Sequence, residues 1–130
     1  MRGDLTGDET VKIGAAKEIF DGEARVAMTP DSAIQLVKLG HSCVIETGAG
    51  VRAGFSDASY AAAGVEVVKT AAALFKAADV VVKVRGPDDN EVKLLRDGQT
   101  LISFFWPAQN PVPAFTKVIL NSMNGFFLQP

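Results

Sequence analysis

Residues 42 to 105 alternate short runs of Val, Ile and Leu with capped helical segments, and nothing else in the chain constrains its fold as much. Ser42–Glu46 (SCVIE), 65–68 (VEVV), 79–84 (DVVVKV) and 100–105 (TLISFF) read as strands, preceded by a first one within 11–16 (VKIGAA). Thr29-Pro30-Asp31 is a strong helix start: Thr29 caps, Pro30 suits the first helical position, and Asp31 favours the positive end of the dipole. Gly40 closes that helix. Ser56-Asp57 begins a second helix ending at Gly64, Thr70 caps a third running through Ala78, and Asn90 is the expected cap of a short fourth reaching Leu95. Asp21-Gly22 marks a charged turn or hairpin within 18–25. Strands that are continuously apolar and separated by helices belong to a parallel sheet covered on both faces. Five strands and four helices predict a three-layer, open, mostly parallel α/β domain of flavodoxin-like type. Val80, Val81, Val82 and Val84 are expected in a buried central strand, beside the Val44-Ile45 and Leu101-Ile102 strands or their neighbours.

A length of 130 residues suits one domain. Lys and Arg number 13 against 15 Asp and Glu, a net charge of −2. With a pI near 5.3, nucleic acid is excluded as the main partner, because phosphate binding needs a basic face. The 48% hydrophobic content is enough for a core. No apolar run approaches the ~20 residues of a membrane-spanning helix. The single Cys43 excludes an internal disulfide and a CxxC metal site, and is compatible with a reducing compartment. Residues 1–10 read as a flexible polar leader without the apolar stretch of a secretory signal. Residues 11–111 form the expected domain. The tail, 112–130, is less legible: 112–120 fits helix or strand, and Phe126, Phe127 and Leu128 are apolar near the chain end. Either the tail packs back on the sheet or the chain has been cut or altered there.

Several segments carry candidate chemistry. Gly48, Gly50 and Gly54 follow a strand, as in a dinucleotide fingerprint. Their spacing is GxGxxxG, the next helix starts late, and no acidic residue ends the following strand, so an ordinary loop is the better reading. Arg25 precedes a helix start, and Lys83 interrupts a buried-looking strand near its C-terminal end, where open α/β sheets bind ligands. Together they can hold a carboxylate or phosphate. The alternative is a structural salt bridge for Arg25 and a snorkelling edge lysine for Lys83. Trp106, Gln109 and Asn110 follow the last strand at the same end; the aromatics there fit a packing wall or a partner surface and the amides can bond a ligand, but on residue types alone plain core plus a Pro-defined turn is the better reading. His41 follows a helix C-cap without companions at ligand spacing, so no metal site is expected. Cys43 reads as a small core residue. No nucleophile elbow, Walker loop or paired catalytic carboxylates occur.

Residues 17–30 (KEIFDGEARVAMTP) resemble the opening signature of the alanine dehydrogenase and nicotinamide nucleotide transhydrogenase family. Glu46-Thr47-Gly48-Ala49-Gly50, Gly54-Phe55-Ser56-Asp57, Val82-Lys83-Val84 and 98–103 (GQTLIS) continue the resemblance in order. It covers roughly residues 11 to 111. Alanine dehydrogenases are similar up to the last strand and then carry a catalytic histidine where Trp106 stands. The stretch 104–111 (FFWPAQNP) instead resembles the alpha subunit of proton-translocating NAD(P) transhydrogenases. The resemblance implies the first part of an NAD(H)-binding component, with hydride transfer between NADH and NADP⁺ coupled to proton translocation. It implies a Rossmann NAD-binding domain that these 130 residues do not include, NADP(H) on a partner component, a membrane component, and a homodimer in the full enzyme. It further implies a peripheral location on the cytoplasmic side of the inner membrane, or the mitochondrial matrix. Arg25 and Lys83 match the two ketoacid-binding basic residues of alanine dehydrogenases. No catalytic residue falls in this chain, and no cofactor is expected tightly bound to it. The alternatives are the substrate domain of an alanine dehydrogenase-like enzyme, disfavoured by Trp106, and a non-catalytic binding module.

Overall fold

Five strands pair in one all-parallel sheet in the order β3-β2-β1-β4-β5. The structure is a computed structural model and describes residues 10–103. The strands are β1 (Lys12–Ala15), β2 (Ser42–Glu46), β3 (Glu66–Val68), β4 (Val80–Val82) and β5 (Thr100–Ile102). Between them lie α1 (Pro30–Lys38), α2 (Asp57–Ala62), α3 (Ala71–Ala77) and α4 (Asp89–Val92), with one 3-10 turn at Val51–Ala53. The expected three-layer parallel domain is therefore present. Phe104 and Phe105, assigned to the last strand by sequence, lie outside the described residues.

Local chemistry accounts for most helix ends. Thr29 accepts from the Ser32 amide at 3.1 Å, and Ser32 Oγ accepts from the Thr29 amide, closing a capping box. Ser56 and Thr70 cap α2 and α3 with the side-chain oxygen alone, accepting from the Ser59 and Ala73 amides. The fourth helix departs from expectation. Asp88, not Asn90, is its cap, and Asn90 lies inside the first turn. The reason is reciprocal: Asp88 Oδ1 accepts from the Glu91 amide at 2.8 Å, while Glu91 Oε1 accepts from the Asp88 amide at 3.1 Å. Asn90 has no residue three positions on that could return the bond.

Two cores cover the sheet. On one face Val44, Val81 and Leu101 pack against Leu74, Phe75 and Ala78 of the α3 segment and Val92 of α4. Burying Leu74 or Phe75 completely contributes roughly 1.5–3 kcal/mol each. Gly14 permits this approach, since a Cβ there would lie 2.7 Å from Ala78 Cβ. On the other face Ala15, Cys43 and Ile45 pack with Met28, Ala33 and Tyr60. The uniform burial expected for the valines of β4 is not found. Val81 is buried, whereas Val80, Val82 and Val84 are partly exposed. On the second face α1 and α2 pack over β2 and β3. On that face Val82 is partly buried against the second core, whereas Ile102 is 45% exposed.

Candidate functional site at the switch point of the sheet

The chain leaves β1 toward β2 and β3, then returns across the sheet to β4 and β5 on the other side. The loops that follow β1 and β4 therefore diverge at the carboxyl edge, where such sheets form a ligand crevice. Arg25 stands on the first loop and Lys83 on the second. A hollow of about 290 Å³ opens there, lined by Glu18, Phe20, Lys83, Arg85 and Glu91 among others.

Lys83 does not snorkel. Its ammonium lies 3.3 Å from Glu18 Oε1 and 3.2 Å from Glu91 Oε2, and all three side chains are buried. Glu18 also accepts backbone bonds from Val84 at 2.6 Å and Arg85 at 3.1 Å. This carboxylate thus fixes the strand end as well as the ammonium. Burial pushes the Glu91 carboxyl above its ordinary value, and the nearby Lys83 charge opposes that only in part. Two carboxylates around one ammonium give a buried cluster with an excess negative charge whenever both are ionised.

Arg25 is held by a different carboxylate. Its Nε donates to Glu23 Oε2 and its Nη2 to Glu23 Oε1, both at 2.8 Å. Glu23 is itself buried, and its Oε1 also accepts from Arg85 Nε at 2.8 Å. The Arg85 guanidinium lies over the Phe20 ring, 4.2 Å from its centroid. Arg52, from the 3-10 turn, donates to the Glu23 carbonyl at 3.3 Å. The bonds from Arg25 and then Arg85 hold the Glu23 carboxyl far below the usual carboxylate range. Both residues of the expected basic pair stand on loops at this edge, but they are neutralised separately, by Glu23 and by Glu18 with Glu91. Glu18, Glu23, Arg52, Arg85 and Glu91 were not singled out by sequence reasoning. The spacing Glu23-x-Arg25 and the Asp88-x-x-Glu91 box were usable signals. Arg52 has none, because its partner is a distant backbone carbonyl.

The glycine loop is shaped by its own chain. A Cβ on Gly50 would lie 2.6 Å from the Tyr60 ring and 2.9 Å from the Phe55 carbonyl. Tyr60 is fully buried, and its hydroxyl donates to the Met28 carbonyl at 2.7 Å. Gly48 and Gly54 have φ of 79° and 92°, which disfavours any side chain. The Gly48 amide donates to Asp57 Oδ1 at 2.9 Å, and Thr47 Oγ1 donates to Asp57 Oδ2. The Gly48 amide is thus taken up by Asp57, and the side of Gly50 that a Cβ would occupy is filled by Tyr60. His41 Nδ1 accepts from the Val11 amide at 3.4 Å. Cys43 is buried, which raises its thiol pKa. Among the described residues no three His, Cys, Asp or Glu side chains are grouped to hold a metal ion. Trp106, Gln109 and Asn110 lie outside the described residues.

Fold and rim together define an open, all-parallel α/β domain with a carboxylate-braced basic edge at its switch point. A sequence profile described as "Alanine dehydrogenase/PNT, N-terminal domain" matches residues 14–122. The NAD(P) transhydrogenase subunit alpha of Cereibacter sphaeroides is 77% identical over 100 residues, covering 77% of this chain and 19% of that protein. An alanine dehydrogenase of Methanococcus maripaludis is 39% identical over 109 residues, covering 84% of this chain and 29% of that protein. A solved transhydrogenase from Sinorhizobium meliloti superposes with a TM-score of 0.76 at 33% identity, over 85% of this chain and 32% of that one. The chain belongs to the alanine dehydrogenase and nicotinamide nucleotide transhydrogenase family, as its N-terminal domain. It spans less than a third of the length of these curated relatives. Among the described residues no helix is long and apolar enough to cross a membrane.

Proposed function

We propose that this chain supplies the N-terminal part of the NAD(H)-binding alpha subunit of an NAD(P) transhydrogenase. In that reading the complete enzyme transfers hydride between NADH and NADP⁺ and couples it to proton translocation across a membrane. The dinucleotide is held by a Rossmann domain elsewhere, and NADP(H) by a partner component. Membrane attachment on the cytoplasmic or matrix side and a homodimeric full enzyme belong to the same reading.

The observation that carries it is the enclosure of Lys83. An alanine dehydrogenase-like substrate domain needs its lysine free for a ketoacid, whereas this ammonium is spent on Glu18 and Glu91. Trp106, which cannot titrate, stands where the resemblance to alanine dehydrogenases implies a histidine. The identity of 77% with a transhydrogenase subunit, against 39% with an alanine dehydrogenase, supports the same branch. The domain's own contribution is positional: Glu18 and Glu23 fix the loops that would face the reacting rings.

The test is an exchange. The matching segment of the Cereibacter sphaeroides alpha subunit is replaced by residues 11–111 of this chain, and NADH-dependent reduction of NADP⁺ is followed in the reassembled enzyme. Activity close to that of the parent is expected. A chimera that folds and assembles but transfers no hydride would overturn the reading.

A further inference from the structure

The second face of the sheet is finished on one side only. There α1 and α2 pack over β2 and β3. At the other side β4 and β5 present Val82 and Ile102, which pair in register and so share that face. A groove of about 330 Å³ runs beside α1, lined by Ile13, Met28, Ser32, Gln35, Leu36 and Val82 among others, none of them charged. Val82 joins the groove to Ile102, which is 45% exposed. The first face needs no further cover at this edge, because Leu101 is buried in a cluster that Val92, Leu94 and Leu95 of the α4 segment complete. Apolar surface left in water is unfavourable in proportion to its area. A charge-free groove continuous with an exposed isoleucine is therefore a seat for an apolar segment.

The chain itself carries one. β5 ends at Ile102, on the carboxyl edge where Met28 leads into α1, and 27 residues follow Ser103. Among these, Phe115, Val118 and Ile119 have the i, i+3, i+4 spacing of one helix stripe, with Lys117 on the opposite side. Strand spacing would instead put Lys117 between Phe115 and Ile119 on one face. A further parallel strand over 112–120 is also out of reach: nine residues separate it from Ile102, and a parallel crossover takes a dozen or more. Pro113 suits the first position of a helix and Gly125 the position just past its end. A helix over 113–124 is about 18 Å long. The longest strand, β2 with 5 residues, spans about 16 Å. Such a helix covers the depth of the sheet.

We propose that residues 113–124 of this same chain dock as a helix in the groove between α1 and the β4–β5 edge, with Phe115, Val118 and Ile119 turned onto Leu36, Val82 and Ile102. The second apolar face is thereby closed from within the chain, by a segment that enters from the end of β5. The docking stands independently of the transhydrogenase reading.

The experiment is NOE spectroscopy of methyl and aromatic groups on the purified, isotopically labelled 130-residue chain. A second sample mixes labelled and unlabelled chains, so that contacts within a chain are separated from contacts between chains. NOEs are expected within one chain from the Phe115 ring and the Val118 and Ile119 methyls to the methyls of Leu36, Val82 and Ile102. Their absence would refute the docking. Their appearance only between chains would overturn it in favour of a second copy seated in the groove. Amide hydrogen exchange gives a second readout: Val118→Asp should speed exchange in β4 and β5 at least about tenfold, because the seat is opened to water. Lys117→Asp, on the opposite side of the same helix, should leave exchange unchanged and so separates a docked face from added charge. Equal effects of the two variants would refute the assigned face. If Val118→Asp does not fold, the NOEs of the parent chain decide.

Discussion

Replacing Lys83 with Met removes the ammonium while keeping most of the side-chain volume. Lys83, Glu18 and Glu91 have side-chain exposures of 1, 2 and 5%, so water cannot take the lost partner's place. Breaking a buried ion pair from one side costs about 3–5 kcal/mol, because it leaves charge buried and unpaired. Two features reduce that figure here. Glu18 keeps its bonds from the Val84 and Arg85 amides, and Glu91, already raised by burial, can take up a proton. The expected loss is therefore near the lower end, about 3 kcal/mol at pH 7.5. For a domain of this size that corresponds to a fall in Tm of roughly 12–24 °C. Urea denaturation followed by circular dichroism at pH 7.5 measures it. The double variant Lys83→Met with Glu91→Gln, which removes one of the stranded charges, should recover at least a third of the loss. A single-variant loss below about 1 kcal/mol, which is what an exposed pair contributes, would refute the reading of a buried cluster. So would a double variant no more stable than the single one, since it would mean that Glu91 does not share the ammonium.

The same cluster predicts a pH dependence. Glu91 in the folded chain binds its proton more tightly than in the unfolded chain, so stability falls as pH rises from about its ordinary value of 4.5 through the folded value. Glu91→Gln keeps the oxygen that caps α4 and should abolish that decline, read from urea midpoints between pH 4.5 and 8. Glu23 and Asp57 act in the opposite sense, their carboxyls being held low, so their stabilisation is lost only as pH falls below their ordinary values of 4.5 and 3.8. Gly50→Ala should destabilise by about 1–3 kcal/mol in a thermal melt, because its methyl would overlap the Tyr60 ring and the Phe55 carbonyl. A variant as stable as the parent would show that the loop yields easily and that the glycine is not there for Tyr60.

The carboxyl edge shows where reading the chain alone stops. Element types and their order were legible, because they rest on local chemistry: Thr29-Pro30, Ser56 and Thr70 each cap the helix that begins at the next residue, and the valine run of β4 is apolar whatever lies around it. Family membership was legible too, since it rests on ordered residues such as those of 17–30. The order of strands was not, because β-α alternation is compatible with more than one side for each crossover. Only the tertiary structure decided that β4 returns beside β1, and that placement brings Lys83 to Glu18 across 65 positions of sequence. The composition around Lys83 suited a ligand site equally well; its use as an internal ion pair depends on α4 bringing Glu91 from the opposite direction. Arg85 reaches the Glu23 carboxylate for the same reason. Charge placement at a switch point depends on which loops diverge there, and that is a property of the folded sheet, whereas caps and apolar runs act within a few residues and are therefore written in the sequence itself.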